Sequence, residues 1–209
     1  MRQIGIIIDP DDFNREGNFL DGVELCKEFL AANRMRAPEF TNTGCDHPFL
    51  GGPGAFGFYR NEVVRVNVPK TALPVRVPYR AWSYTGWKAD RTAAGVVAHE
   101  TGHHVDFLLG NLSLQTPELL EDISSYSKVN GTENWAEAVR LFILNPDLLK
   151  CAWPTTYFKL SLSLVPVVTF TWREVLANAH PRFIEVAEKR IYNEHRFHKE
   201  EGGPSEGTQ

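Results

Sequence analysis

The segment Val97-Ala98-His99-Glu100-Thr101-Gly102-His103-His104-Val105-Asp106 contains the pattern H-E-x-x-H. On a helix, residues four apart share a face, so the imidazoles of His99 and His103 can reach one ion. Glu100, directly after the first histidine, then sits beside the water on that ion and can act as its base. The ion this chemistry calls for is zinc (Zn2+), which in catalytic sites takes three protein ligands and keeps one position open. His104 follows a ligand directly and points about 100° away, so it falls outside the ligand set. Asp106 has two readings, a partner orienting a neighbouring histidine or a charge on the helix surface.

The third ligand must come from another element. A helix is expected after Asn130-Gly131-Thr132, and it carries Glu133 and Glu137 on one face. Spacing does not choose between them. One can ligate while the other accepts a hydrogen bond from a ligand imidazole and fixes its tautomer. Both are also compatible with solvated carboxylates, since an acid in a first turn complements the helix dipole. Cys45-Asp46-His47 is a lone C-x-H in a loop, and His180, His195 and His198 have no partner pattern; these read as incidental.

These groups need elements to hold them. Phe19, Leu20, Val23, Cys26, Phe29 and Leu30 recur at helical spacing and predict an amphipathic helix over 18–34. Prolines and glycines predict an irregular connection over 36–55. Phe56–Arg60 and Val63–Val68 read as two strands of a hairpin turning at Asn61-Glu62. Val75–Tyr79 reads as a third strand, and Ile4–Ile8 as a buried one. An aromatic loop, 81–89, leads into the motif helix over 92–109, capped by Asp90 or Thr92. Its Gly95 and Gly102 each cost about 1 kcal/mol relative to alanine, which points to close packing against a neighbouring backbone. The next helix runs to Leu144 and is stopped by Asn145-Pro146. Further helices open at the capping box Thr171-Trp172-Arg173-Glu174 and at Pro181. Strands before helices without βαβ alternation predict an α+β domain: a small mixed or antiparallel sheet packed on the motif helix, with further C-terminal helices. One domain over 1–198 is expected, with a disordered tail over 199–209 rich in Glu, Gly, Ser and Pro.

Composition narrows the partners. At 43% hydrophobic and 23% charged residues, the 209-residue chain is an ordinary globular sequence. A net charge of -4 offers no electrostatic case for nucleic acid or an anionic membrane. No apolar run approaches the about 18 residues of a membrane span. Three widely spaced cysteines, Cys26, Cys45 and Cys151, predict reduced thiols rather than a disulfide framework. With no signal-peptide pattern at the start, a cytoplasmic or virion-associated setting is expected, while export by another route stays open. Oligomeric state is not legible.

The stretch Ser124-Ser125-Tyr126-Ser127-Lys128-Val129-Asn130-Gly131-Thr132-Glu133-Asn134-Trp135-Ala136-Glu137-Ala138-Val139-Arg140-Leu141-Phe142 resembles the matching segment in the catalytic-domain family of anthrax lethal factor and the related Pro-Pro endopeptidases. His99–Asp106 is similar to that family's H-E-x-G-H-x-V-D. The resemblance covers about 95–146, roughly a quarter of the chain, and implies a zincin-like metallopeptidase fold. Residue by residue, it implies Glu133 as the third zinc ligand, Glu137 behind the ligands, and Tyr126 as a hydroxyl polarising the substrate over the metal. It says nothing about substrate preference.

The expectation is therefore a zinc metalloendopeptidase acting on a protein or peptide, with Glu100 moving the proton and Tyr126 donating to the oxyanion. Two alternatives accompany it: a zincin-like binding or structural module with little turnover, and a regulator protease cleaving a single partner. In zincin-like folds an edge strand often pairs with extended substrate. Val63–Val68 and Val75–Tyr79 are the candidates, and the aromatic loop is open as either cleft or core.

Overall fold

A computed structural model describes residues 15–43, 55–71, 91–115, 120–124 and 126–168, with Cys151 described by its backbone alone. The expected strands at 4–8 and 75–79, the aromatic loop 81–89, Cys45-Asp46-His47, the helices opening at Thr171 and Pro181, and the tail lie outside the described residues. Within them the chain is a mixed α+β structure. Helix α1 spans Arg15–Ala32, followed by strands β1 (Glu39–Asn42), β2 (Gly57–Arg60) and β3 (Val63–Val66). Then come α2 (Ala93–Leu108), α3 (Leu112–Gln115), α4 (Gly131–Leu144), α5 (Pro146–Ala152) and α6 (Pro154–Ser161). No helix among the described residues is long and apolar enough to cross a membrane.

Helix α1 buries Phe19, Cys26, Phe29 and Leu30 of the predicted face together with Leu25, while Leu20 is exposed and Val23 only half-buried. It ends where Arg34 takes a left-handed conformation (φ 56°), so that Met35 N–H reaches back to Leu30 O at 2.8 Å. The hairpin turns where predicted: Asn61 and Glu62 both have positive φ, the geometry whose twist matches a two-residue connection between antiparallel strands.

Three expectations are corrected. The connection 36–55 contains β1, which pairs in parallel with β3 from Glu39↔Val63 to Asn42↔Val66. Glu-Phe-Thr-Asn has no apolar alternation to announce a strand, and its pairing comes from residues distant in sequence. The strand expected over Val63–Val68 ends at Val66, and Val68–Lys70 forms a single 3-10 turn in which Pro69 has no N–H to give a ladder. The sheet order β1-β3-β2 makes Val63–Val66 the central strand, with both edges already paired, so it cannot take an added strand. Among the described residues the edge on the motif-helix side is β2.

Helix α2 is the axis of the structure. It packs against α1, α4 and both strands of the hairpin. Its first turn is held from two sides: Thr92 Oγ1 accepts from Gly95 N–H at 3.1 Å, and Asn18 Oδ1 on α1 accepts from Ala94 N–H at 2.9 Å. Asn145 closes α4 and caps α5, its Oδ1 accepting from Leu148 N–H at 3.1 Å. Pro146 therefore stops one helix and starts the next, its missing N–H being harmless in a first turn.

Candidate functional site

One close helix contact and one helix cap set the distances at the site. A Cβ added to Gly102 would stand 2.8 Å from Ala136 Cα and 2.9 Å from Ala136 O, so α2 and α4 touch backbone to backbone. That contact lies between the histidines of α2 and the glutamates of α4. Asn130 caps α4, its Oδ1 accepting from Glu133 N–H at 2.9 Å, which fixes Glu133 in the first turn facing α2.

His99, His103 and Glu133 converge there, with one ligand atom from each lying within 4.8 Å of the others. Glu133 Oε2 is 2.9 Å from His99 Nε2 and 3.5 Å from His103 Nε2. Tetrahedral zinc with ligands at about 2.0–2.1 Å separates its donors by about 3.3 Å, and the two Glu133 distances fall on either side of that value. The donor set, two imidazoles and one carboxylate, also suits zinc chemically. These residues fit the ion.

Glu137 lies one turn further along α4 and is 1% exposed. Its Oε1 accepts from His99 Nδ1–H at 2.9 Å and from Arg140 Nε at 3.0 Å. Its Oε2 accepts from Arg140 Nη2 at 3.0 Å and from the Ser124 hydroxyl at 2.6 Å. With the proton on Nδ1 claimed by a carboxylate, Nε2 is the nitrogen of His99 left to meet a metal. Sequence spacing left the two glutamates interchangeable; the structure brings Glu133 together with the Nε2 atoms of His99 and His103, and Glu137 behind His99.

The electrostatics follow from this crowding. Burial disfavours a charged His99, but its hydrogen bonds to Glu133 and Glu137 outweigh it and carry the imidazole up to about 10. Burial would also lift Glu133, yet its contacts with His103 and His99 hold it down at about 2. Glu137 is held well below the usual carboxylate range, Arg140 and His99 overcoming its burial. Glu100 moves the other way. Burial pushes its carboxyl up, opposed by His99 and His103, so it is the carboxylate of the group with the greatest appetite for a proton.

These groups open onto a cleft of about 410 Å³ whose walls include β2 (Gly57, Phe58, Tyr59), Glu100, Phe107, Tyr126 and Thr132. A Cβ at Gly57 would come within 2.5 Å of Val96 Cγ1 and 3.1 Å of Glu100 Oε1, so this glycine lets the edge strand lie directly on the motif helix. Two tyrosines reach the cleft, and they differ. His104 Nε2 donates to Arg36 O at 2.8 Å, which leaves Nδ1 to accept from the Tyr59 hydroxyl at 3.0 Å. The Tyr59 proton is thus committed. Tyr126 is 42% exposed, and its ring centroid lies 5.6 Å from that of His99. Burial and the nearby Glu133, Glu100 and Glu137 push its phenol up, keeping it a proton donor.

His104, set aside as a ligand, is buried and ties the edge strand to the residues before β1. Burial pushes its imidazole down. Asp106, read as either a partner orienting a histidine or a surface charge, is instead buried and accepts from Ser113 N–H at 2.9 Å and from the Ser113 hydroxyl. The chain turns sharply between α2 and α3, and the carboxylate satisfies an N–H at the start of α3. Sequence reasoning missed Tyr59, Ser124 and Arg140. Arg140 stands three residues after Glu137 in an apolar run, a signal for a buried pair; Tyr59 and Ser124 carried none.

Comparison with known protein families, curated proteins and solved structures finds no match. The functional reading rests on the site itself.

Proposed function

We propose that this chain is a zinc-dependent endopeptidase of zincin-like fold, hydrolysing peptide bonds of a protein or peptide substrate. One observation carries the reading: a proton-hungry Glu100 stands in the same cleft as the convergent His99, His103 and Glu133. A purely structural metal site would use the three donors and have no need of a buried carboxylate beside them.

His99, His103 and Glu133 would hold the ion, and Glu137 would keep His99 Nε2 turned toward it. When bound, zinc supplies a Lewis acid for the scissile carbonyl and lowers the pKa of a coordinated water to about 7. Glu100 takes the proton of the attacking water and hands it to the leaving amine. Tyr126 donates to the oxygen that becomes negative, an interaction stronger in the transition state than in the ground state. Tyr59 cannot share that role, since its proton is given to His104. Extended substrate would lie along β2, which lines the cleft and is an edge strand among the described residues, adding backbone hydrogen bonds there.

Purified protein should carry close to one zinc per chain, and Glu100→Gln should retain it while losing cleavage of a peptide library. Cleavage that persists in Glu100→Gln would remove the base from this mechanism. Full zinc occupancy in His99→Ala would remove the metal centre.

A further inference from the structure

Ser124 stands in the turn ahead of α4 and is 1% exposed. Its hydroxyl donates to Glu137 Oε2 at 2.6 Å and accepts from the backbone N–H groups of Tyr126 and Ser127, each at 3.2 Å. One proton and two lone pairs are all a serine hydroxyl has, so every bonding direction is used. The turn also has its own closure, because Ser127 Oγ donates to Ser124 O at 2.7 Å and accepts from Ser124 N–H at 3.1 Å. The bond from Ser124 to Glu137 therefore adds registration: it ties an already closed turn to the carboxylate that orients His99. The Tyr126 side chain, half in solvent, makes a ring contact with His99 and no hydrogen bond through its hydroxyl among the described residues. Its placement depends on its backbone, and its backbone N–H depends on Ser124.

We propose that Ser124 is a positioning residue that sets the Tyr126 phenol over the His99–His103–Glu133 centre by anchoring its turn to Glu137. The role rests on the hydrolytic reading above, in which Tyr126 meets the developing oxyanion. Glu137 keeps three other donors, from His99 and Arg140, so loss of the Ser124 hydroxyl leaves the metal ligands in place.

The test is a double-mutant cycle joined to amide exchange. Ser124→Ala lowers kcat by about tenfold to a hundredfold, the scale of a reacting group displaced by about 1 Å. KM for a library-selected peptide and zinc affinity each stay within about threefold. In the Tyr126→Phe background the same substitution has no further effect on kcat. An equal loss in both backgrounds, or a loss that tracks zinc affinity, overturns the proposal. By hydrogen exchange, Ser124→Ala deprotects the Tyr126 and Ser127 amides while α4 stays protected; unchanged protection at those two amides also overturns it. Ser124→Cys, nearly isosteric but a poor hydrogen-bonding group, carries both arms if the alanine variant does not fold. A wild-type protein that cleaves no library peptide defeats the hydrolytic reading by itself, and the exchange arm still decides whether Ser124 holds the turn.

Discussion

Glu133 and Glu137 show how far the same side chain diverges when its neighbours differ. Glu133 faces the Nε2 atoms of two histidines at the cleft, whereas Glu137 is enclosed by His99 Nδ1, Arg140 and Ser124. Glu133→Gln should therefore lower zinc affinity more than Glu137→Gln, for which about a 10- to 100-fold loss is expected of a group behind the ligands. Glu137→Gln should carry the larger stability cost, because it removes the carboxylate that pairs with the fully buried Arg140; breaking a buried pair costs about 3–5 kcal/mol. Competition with a chromophoric chelator and urea unfolding of metal-free protein separate the two. The reverse order of affinities would put the ligand one turn further along α4. Protons compete with the metal at His99, which in metal-free protein holds its proton up to about 10. Zinc binding near neutral pH must release it, so affinity should rise with pH by about tenfold per unit for one proton. Without metal the same shift acts on folding: its contribution is full below about pH 6.5 and is lost as pH rises toward 10. Titration calorimetry in buffers of different ionisation enthalpy counts the released proton, and a pH-independent affinity contradicts the assignment.

At the scale of elements, the contact of α2 with α4 controls the metal distances. Gly102→Ala adds a better helix former, a gain of about 1 kcal/mol in an open helix. Here the new Cβ would meet Ala136 backbone at 2.8 and 2.9 Å, and backbone cannot rotate aside. Overpacking of about 1–3 kcal/mol outweighs the gain. The helices should separate, and the variant should show both lower stability and weaker zinc binding. Unchanged chelator competition would mean that the two helices tolerate the shift. Elements whose signals are local were legible in sequence. Most of the α1 face, the Thr92 cap and the Asn61-Glu62 turn each depend on residues a few positions apart. Strand β1 was not, because its hydrogen bonds go to β3 more than twenty positions away. Helices α5 and α6 were missed: Pro146, which opens α5, was read only as the stop of the helix before it, and no reading was made of the segment that forms α6.

For the whole molecule, three donors from two helices would make the proposed metal binding a clamp on the α2–α4 core. A ligand at a hundred times its Kd adds about 2.7 kcal/mol to folding. For a chain of this size that is a rise of about 5–10 °C in Tm. Calorimetry should find this rise with zinc, lose it with a chelator, and not find it in His103→Ala; a rise that survives in that variant would place the stabilising ion elsewhere. The H-E-x-x-H spacing by itself determined that His99 and His103 share a helix face with a carboxylate beside them, because helical geometry is local and periodic. The helix carrying Glu133 and Glu137 was equally written in neighbouring residues. Which glutamate meets the histidines, which tyrosine keeps a free hydroxyl, which strand borders the cleft and what Asp106 holds were decided by tertiary structure. Each depends on contacts between segments far apart in the chain, where one helix–helix approach at Gly102 or one hydrogen bond from His104 assigns roles that spacing leaves open.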